Sequence, residues 1–242
     1  MRISFIVPRL CLILPLAVSP AFSQQSRDLF NGKSLDGWQV RGEGIWTVMD
    51  NGVLLGQRRH DKPSSPFADP WPITDKQYRS WLNPQAWLYT VRNDFGEFDL
   101  HVEYFVPPQG NSGVSIRDVS RAHYVIREPN DQVVPPTTLK GSPAHIGYEI
   151  QIIDGDSATY PSGSVYLFAA GKTGLQKRAD WNSLDIESRN DRIRVKLNGE
   201  LAAESPGDPE RSKVGPIGLQ LHDQFSFVMF RNIRIKEIKR QP

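Results

Sequence analysis

The feature that most constrains this chain is an alternation of period two. In FDLHVEY, Phe98, Leu100, Val102 and Tyr104 alternate with Asp99, His101 and Glu103; in RIRVKL, Ile193, Val195 and Leu197 alternate with Arg192, Arg194 and Lys196. Successive side chains on a strand point to opposite faces, so each stretch predicts a half-buried antiparallel strand. Turn signals separate such runs at Asp50-Asn51-Gly52, Arg189-Asn190-Asp191 and Asn198-Gly199, the last a strong hairpin signal. About a dozen short strands result, and no segment carries a helical stripe longer than two turns. The expectation is an all-β, two-sheet sandwich of jelly-roll character.

Two segments do not read as strands. Residues 57–85 contain five Pro together with Trp71, Tyr78 and Trp81, and residues 118–146 contain Pro129, Pro135, Pro136 and Pro143. Loops of this length in a compact domain are usually functional or disordered. The aromatic residues suggest that the first segment packs down as a wall beside a cleft, with Trp71 and Trp81 able to stack on a sugar ring. An aromatic-anchored surface loop without a ligand is the competing reading. Trp181 could also stack, although a core position suits it better.

The first 23 residues carry Arg2 and Arg9, an apolar run from Leu10 to Val18 broken by Pro15, and small residues at Ala21 and Ser23. This reads as a secretory signal peptide cleaved near Ser23-Gln24, with the mature chain in the periplasm or outside the cell. No later segment approaches the roughly 18 uninterrupted apolar residues of a membrane-spanning helix, so membrane insertion is not expected. The lone cysteine, Cys11, falls inside the signal, leaving no thiol for a disulfide or a metal. Loss of two Arg brings the 29 basic residues to 27, equal to the 27 acidic ones, so the formal charge of +2 falls to zero. A neutral chain gives no reason to expect a nucleic-acid partner. Residues 24–242 are expected to form a single domain with a core large enough to stand without disulfides.

Each strand can then be asked which of its faces is polar. In NSGVSIR, Val114 and Ile116 point one way while Asn111, Gly113, Ser115 and Arg117 point the other; in IGLQLHD, Leu219 and Leu221 oppose Gln220 and His222; in YEIQ, Tyr148 and Ile150 oppose Glu149 and Gln151. If the three share a sheet, their polar faces make one surface suited to a carbohydrate. The doubled Ile152-Ile153 would put Asp154 on the wrong side. A β-bulge at either Ile would return it to the face of Glu149 and Gln151. Taken singly, each residue has an ordinary structural role: Glu149 solvated or paired with Arg117, His222 a hydrogen-bonded ring, Arg117 a carboxylate clamp. Their convergence is what points to a site. Asp99, His101 and Glu103 are expected to face solvent or a cleft rim. Ca²⁺ near Asp154 or Asp156 is conceivable, but no dense carboxylate loop demands a metal, and no cofactor is expected.

The stretches LFNGKSLDGW, WLYTVRNDFGEFDLHVEY, NSGVSIR, GYEIQIID, PSGSVY, Trp181-Asn182, Asn198-Gly199 and GPIGLQLHDQFSFVMFRNIRIKEI run in order over nearly the whole chain after the signal. In these the chain resembles the 3-keto-disaccharide hydrolase family, formerly the domain of unknown function DUF1080, with a concanavalin A-like jelly-roll fold. It departs from the family in a longer opening between Gly56 and Trp87, which bears on substrate size, and in Ser162 where Thr is commoner.

The resemblance implies a substrate already oxidised to a ketone at sugar C3. The ketone acidifies the C2 proton, so a modest base can remove it; elimination across C1–C2 then expels the aglycone, and water adds afterwards. Such a site needs a base near C2, a cationic or hydrogen-bonding group at the C3 oxygen and an acid for the leaving group. Glu149 or Asp154 is the expected base, Arg117 the enolate stabiliser and His222 an acid/base partner. Gln151, Gln220 and Asn111 would bind substrate. Two other classes stay open: a retaining glucanase, whose E-x-D-x-x-E strand is similar to the E-x-Q-x-x-D row here, and a carbohydrate-binding module without turnover.

Overall fold

The computed structural model describes residues 25–42, 44–58, 85–122, 146–222 and 227–238. Thirteen strands appear in chain order: β1 (Arg27–Asp28), β2 (Trp38–Arg41), β3 (Gly44–Val48), β4 (Leu54–Arg58), β5 (Ala86–Thr90), β6 (Phe98–Phe105), β7 (Asn111–Ile116), β8 (Tyr148–Ile153), β9 (Asn182–Arg189), β10 (Arg192–Leu197), β11 (Glu200–Ser205), β12 (Ile217–Leu221) and β13 (Val228–Glu237). They form two antiparallel sheets. The larger runs β11-β10-β9-β6-β13-β4-β3 with β1 beside β13; the smaller runs β2-β5-β12-β7-β8. Pairing of strands distant in sequence, such as β5 with β12, gives the concanavalin A-like jelly-roll sandwich.

The expected hairpins are present. Leu197 pairs with Glu200 across Asn198-Gly199, both at positive φ (52° and 86°), the backbone that closes a two-residue turn between twisted strands. Arg189 pairs with Arg192 across Asn190-Asp191, where Asn190 is at positive φ (48°) and Asp191 is not.

Between the sheets lies one apolar core. β6 and β9 bury alternate residues, contributing Phe98, Leu100, Val102, Tyr104, Leu184 and Ile186. Val114, Ile116, Tyr148, Ile150, Ile152, Leu219 and Leu221 enter from the smaller sheet. The smaller sheet differs in one respect that locates the site: β5 and β12 are buried at every position and β7 and β8 at five of six, so its outward face is covered as well. Trp87 and Tyr89 pack on that outer face as a separate cluster with Ala122.

Among the described residues no helix is long and apolar enough to cross a membrane. Residues 1–23, Trp71 and Trp81 lie outside the described residues.

Candidate active site on the smaller sheet

Strand register builds the site as rows of side chains on the outer face of the smaller sheet. Glu149 on β8 stands opposite Ser115 on β7, which pairs with Gly218 on β12, which pairs with Tyr89 on β5. In the next row Gln151 pairs with Gly113, and Gln220 with Trp87. Asn111 pairs with Ile153 at the end of β7, and His222 follows the last residue of β12. Glu149, Gln151, Gln220, His222 and Asn111 are thus brought to one face, as the alternation predicted.

Two glycines make the floor. A Cβ on Gly113 would stand 2.8 Å from Glu149 Oε1, so the Glu149 side chain lies over Gly113 and leans toward the β12 groups. A Cβ on Gly218 would stand 2.4 Å from the Tyr89 ring, which occupies that space.

Glu149 is 6% exposed, and no Arg or Lys among the described residues pairs with it. Burial disfavours its anion, and the nearby Asp118 charge adds to that; His222 and a hydrogen bond from Gln220 pull the other way, leaving the carboxyl at about 7. A base that titrates near neutrality is suited to proton abstraction at physiological pH. Tyr89 donates to Asp118 Oδ2 at 2.6 Å, and Asp118 also accepts from the Ala122 and Ser120 amides and the Ser120 hydroxyl. Burial, then the Asp118 carboxylate, pushes the Tyr89 phenol well above its ordinary value. Gln220 Nε2 donates to Gln85 Oε1 at 3.2 Å.

Arg117 does not join this face. Its backbone sits at φ 59°, so the strand ends at Ile116 and the side chain turns inward. The guanidinium is 1% exposed and donates across the sandwich to Ser188 Oγ (2.7 Å) and the Gly96 carbonyl (3.3 Å). Gly147 and Gly215 enforce this turn: a Cβ on either would come within 2.6 Å of backbone at Ile116, Arg117 or Asp118. The expected enolate stabiliser is therefore a tie between the two sheets.

Asp154 is likewise not brought to Glu149. The β7–β8 ladder runs from Ile116↔Tyr148 to Asn111↔Ile153 without a register shift, so no bulge intervenes. Ile152 enters the core, Ile153 takes the outer face, and Asp154 bonds Arg178 (2.9 and 3.2 Å) and the Gln109 amide (3.0 Å). Hydrogen bonds from Arg178 hold its carboxyl below the usual range, the opposite of what a base at neutral pH needs. An irregularity does exist nearby, in the segment paired with β8: Gln151 N donates to Ser164 O while Gly163 N donates to Gln151 O, so two residues oppose one.

That segment contributes residues the alternation test missed. Val165 bridges Ile150 and enters the core, and the Tyr166 amide donates to Glu149 O at 2.8 Å. Tyr166 is therefore opposite Glu149 on the outer face, half-buried, with Tyr160 set edge-on at 5.1 Å between ring centroids. Tyr89 and Trp87 were legible in WLYT by the same test applied to the other strands. Trp181 belongs neither to the core nor to this face: it packs with Phe105 on the larger sheet, with Arg231 4.0 Å above its ring. Asp99 and His101 line a shallow depression of about 490 Å³ on that larger sheet. Among the described residues no three His, Cys, Asp or Glu side chains are grouped to hold a metal ion.

With this geometry, comparison with known proteins is direct. The 3-keto-alpha-glucoside-1,2-lyase-like domain family matches residues 25–236, and the chain belongs to it. No curated protein matches. A candidate glycosyl hydrolase of Parabacteroides distasonis has a similar structure, with TM-score 0.60 and 22% identity over 88% of this chain and 100% of its own. A second one from that organism gives 0.57 and 21% over 88% and 94%. A Bacillus subtilis protein of galectin-like fold gives 0.54 and 10% identity over 90% of this chain and 96% of its own. These neighbours share the fold; the family gives the protein a carbohydrate-related function.

Proposed function

We propose that the protein is an exported enzyme that cleaves 3-keto-glycosides by elimination across C1–C2 followed by hydration. The observation that carries this reading is Glu149, a buried carboxyl titrating at about 7 on a face of polar groups, with no Arg or Lys among the described residues paired with it. Glu149 removes the C2 proton, which the C3 ketone has acidified. His222, near enough to depress the Glu149 pKa, hydrogen-bonds the C3 oxygen as enolate charge develops there. Gln151, Gln220 and Asn111 orient ring hydroxyls. Arg117 and Asp154 act at a distance by fixing the ends of β7 and β8.

A retaining glucanase would need two carboxyls about 5 Å apart over the sugar, and the second candidate, Asp154, is engaged with Arg178 away from that face. A binding module would need no carboxyl held near neutrality. Assay of a 3-keto-glucoside beside its unoxidised parent tests the reading. Turnover of the first only, lost in Glu149→Gln, is the expected result; turnover of the parent, or of neither, would sink it.

A further inference from the structure

We infer that the Tyr166 hydroxyl is the acid that protonates the departing aglycone oxygen. The inference rests on the elimination reading above and concerns the same site. C2 of the sugar has two ring neighbours, C1 carrying the aglycone and C3 carrying the ketone. Glu149 also has neighbours on two sides: it leans over Gly113 toward Gln220 and His222, while Tyr166 stands opposite it on the outer edge of β8. With C2 at Glu149 and C3 toward the fully buried Gln220 and the half-buried His222, C1 faces Tyr166. The buried side suits the ring and the half-exposed side suits an aglycone that must leave.

The step balances without another reactant. Glu149 takes the C2 proton; the C2–H electron pair forms the C1=C2 bond as C1–O breaks, and the aglycone oxygen takes the Tyr166 proton and departs as an alcohol. In hydration the Tyr166 phenolate takes a proton from water, hydroxide adds to C1, and Glu149 returns its proton to C2. Both groups end as they began. The two are electrostatically linked in the useful direction. Burial and the Glu149 anion hold the Tyr166 phenol above its ordinary value, and protonation of Glu149 removes the second of these just when Tyr166 must release its proton.

Tyr166→Phe keeps the ring against Tyr160 and removes the hydroxyl. Its kcat/KM is measured on two 3-keto-glucosides, one with an alkyl and one with a 4-nitrophenyl aglycone. The expected loss is about 100-fold on the alkyl substrate and under about threefold on the nitrophenyl one, since nitrophenolate leaves without a proton. Tyr160→Phe should leave the ratio of the two rates unchanged. Equal losses on both substrates, or none, in a Tyr166→Phe protein with the wild-type Tm would overturn the role while leaving the elimination reading intact. Failure of wild type to cleave either substrate would overturn both.

Discussion

The two sheets obey the same alternation yet turn opposite kinds of surface outward. On the larger sheet the outer charges are matched pairwise and remain partly exposed: His101 with Asp185 at 2.7 Å, Arg231 with Glu103 at 2.6 Å, Arg192 with Glu204 at 2.8 Å. Pairing favours the charged forms, as where the Asp185 hydrogen bond raises the His101 pKa. On the smaller sheet the outer polar groups are buried, and burial holds Glu149 and Tyr89 toward their neutral forms. A satisfied ion pair has no free energy left to give a substrate, whereas a buried carboxyl near its titration point can take a proton. The difference separates a solvated wall from the face proposed to carry the reaction, although both read as polar residues on strands.

The sharpest way to break this comparison is to neutralise one acid on each face. Glu149→Gln should lower kcat/KM on a 3-keto-glucoside by about 1,000-fold or more, while Asp185→Asn should stay within about twofold and cost less than about 1 kcal/mol, as exposed pairs do. Comparable losses would erase the distinction between the faces. Next in size is Gly113→Ala, whose new methyl would meet Glu149 Oε1 at 2.8 Å. Displacing the carboxylate should cost about 100-fold in kcat/KM; wild-type activity would mean that the floor does not position Glu149.

A third test reads stability. Glu149 binds its proton more tightly folded (about 7) than at its ordinary 4.5, so its contribution is complete below pH 4.5 and is lost as pH rises through 7. Over 2.5 pH units at 1.36 kcal/mol each, the loss reaches about 3 kcal/mol. Glu149→Gln should therefore unfold at higher denaturant than wild type at pH 8.5 by about that margin, and nearly with it at pH 4. Equal stability at both values would show that the carboxyl is not held protonated by burial. The smallest effect is expected of Asp154→Asn, with kcat/KM within about twofold of wild type; a large loss would return Asp154 to the chemistry.

What the sequence disclosed was what is local. Side-chain alternation is fixed by strand geometry, so the sandwich and the polar face of each strand were legible in spacing, whereas the shared face of Glu149, Gln151, Gln220 and His222 also required β7, β8 and β12 to lie in one sheet, as they do. Arg117 eluded that logic because its turn into the core is dictated by Gly147 and Gly215, each in another segment, leaving room for its backbone at positive φ. Asp154 eluded it because its partner, Arg178, lies 24 residues on. Tyr166 joins the face through a short bridge to β8, too brief to show a period in sequence. Gly147, at the start of GYEIQ, is with Gly215 a residue that lets β7 end where it does.

The central claim, that Glu149 is the base and titrates near neutrality, is tested most directly by the pH dependence of kcat/KM on a 3-keto-glucoside. The account predicts an acid limb of unit slope with its midpoint near 7, rates rising as Glu149 ionises, and a residual Glu149→Gln rate without that limb. A wild-type profile flat from pH 5 to 8, or a limb that persists in Glu149→Gln, would contradict it.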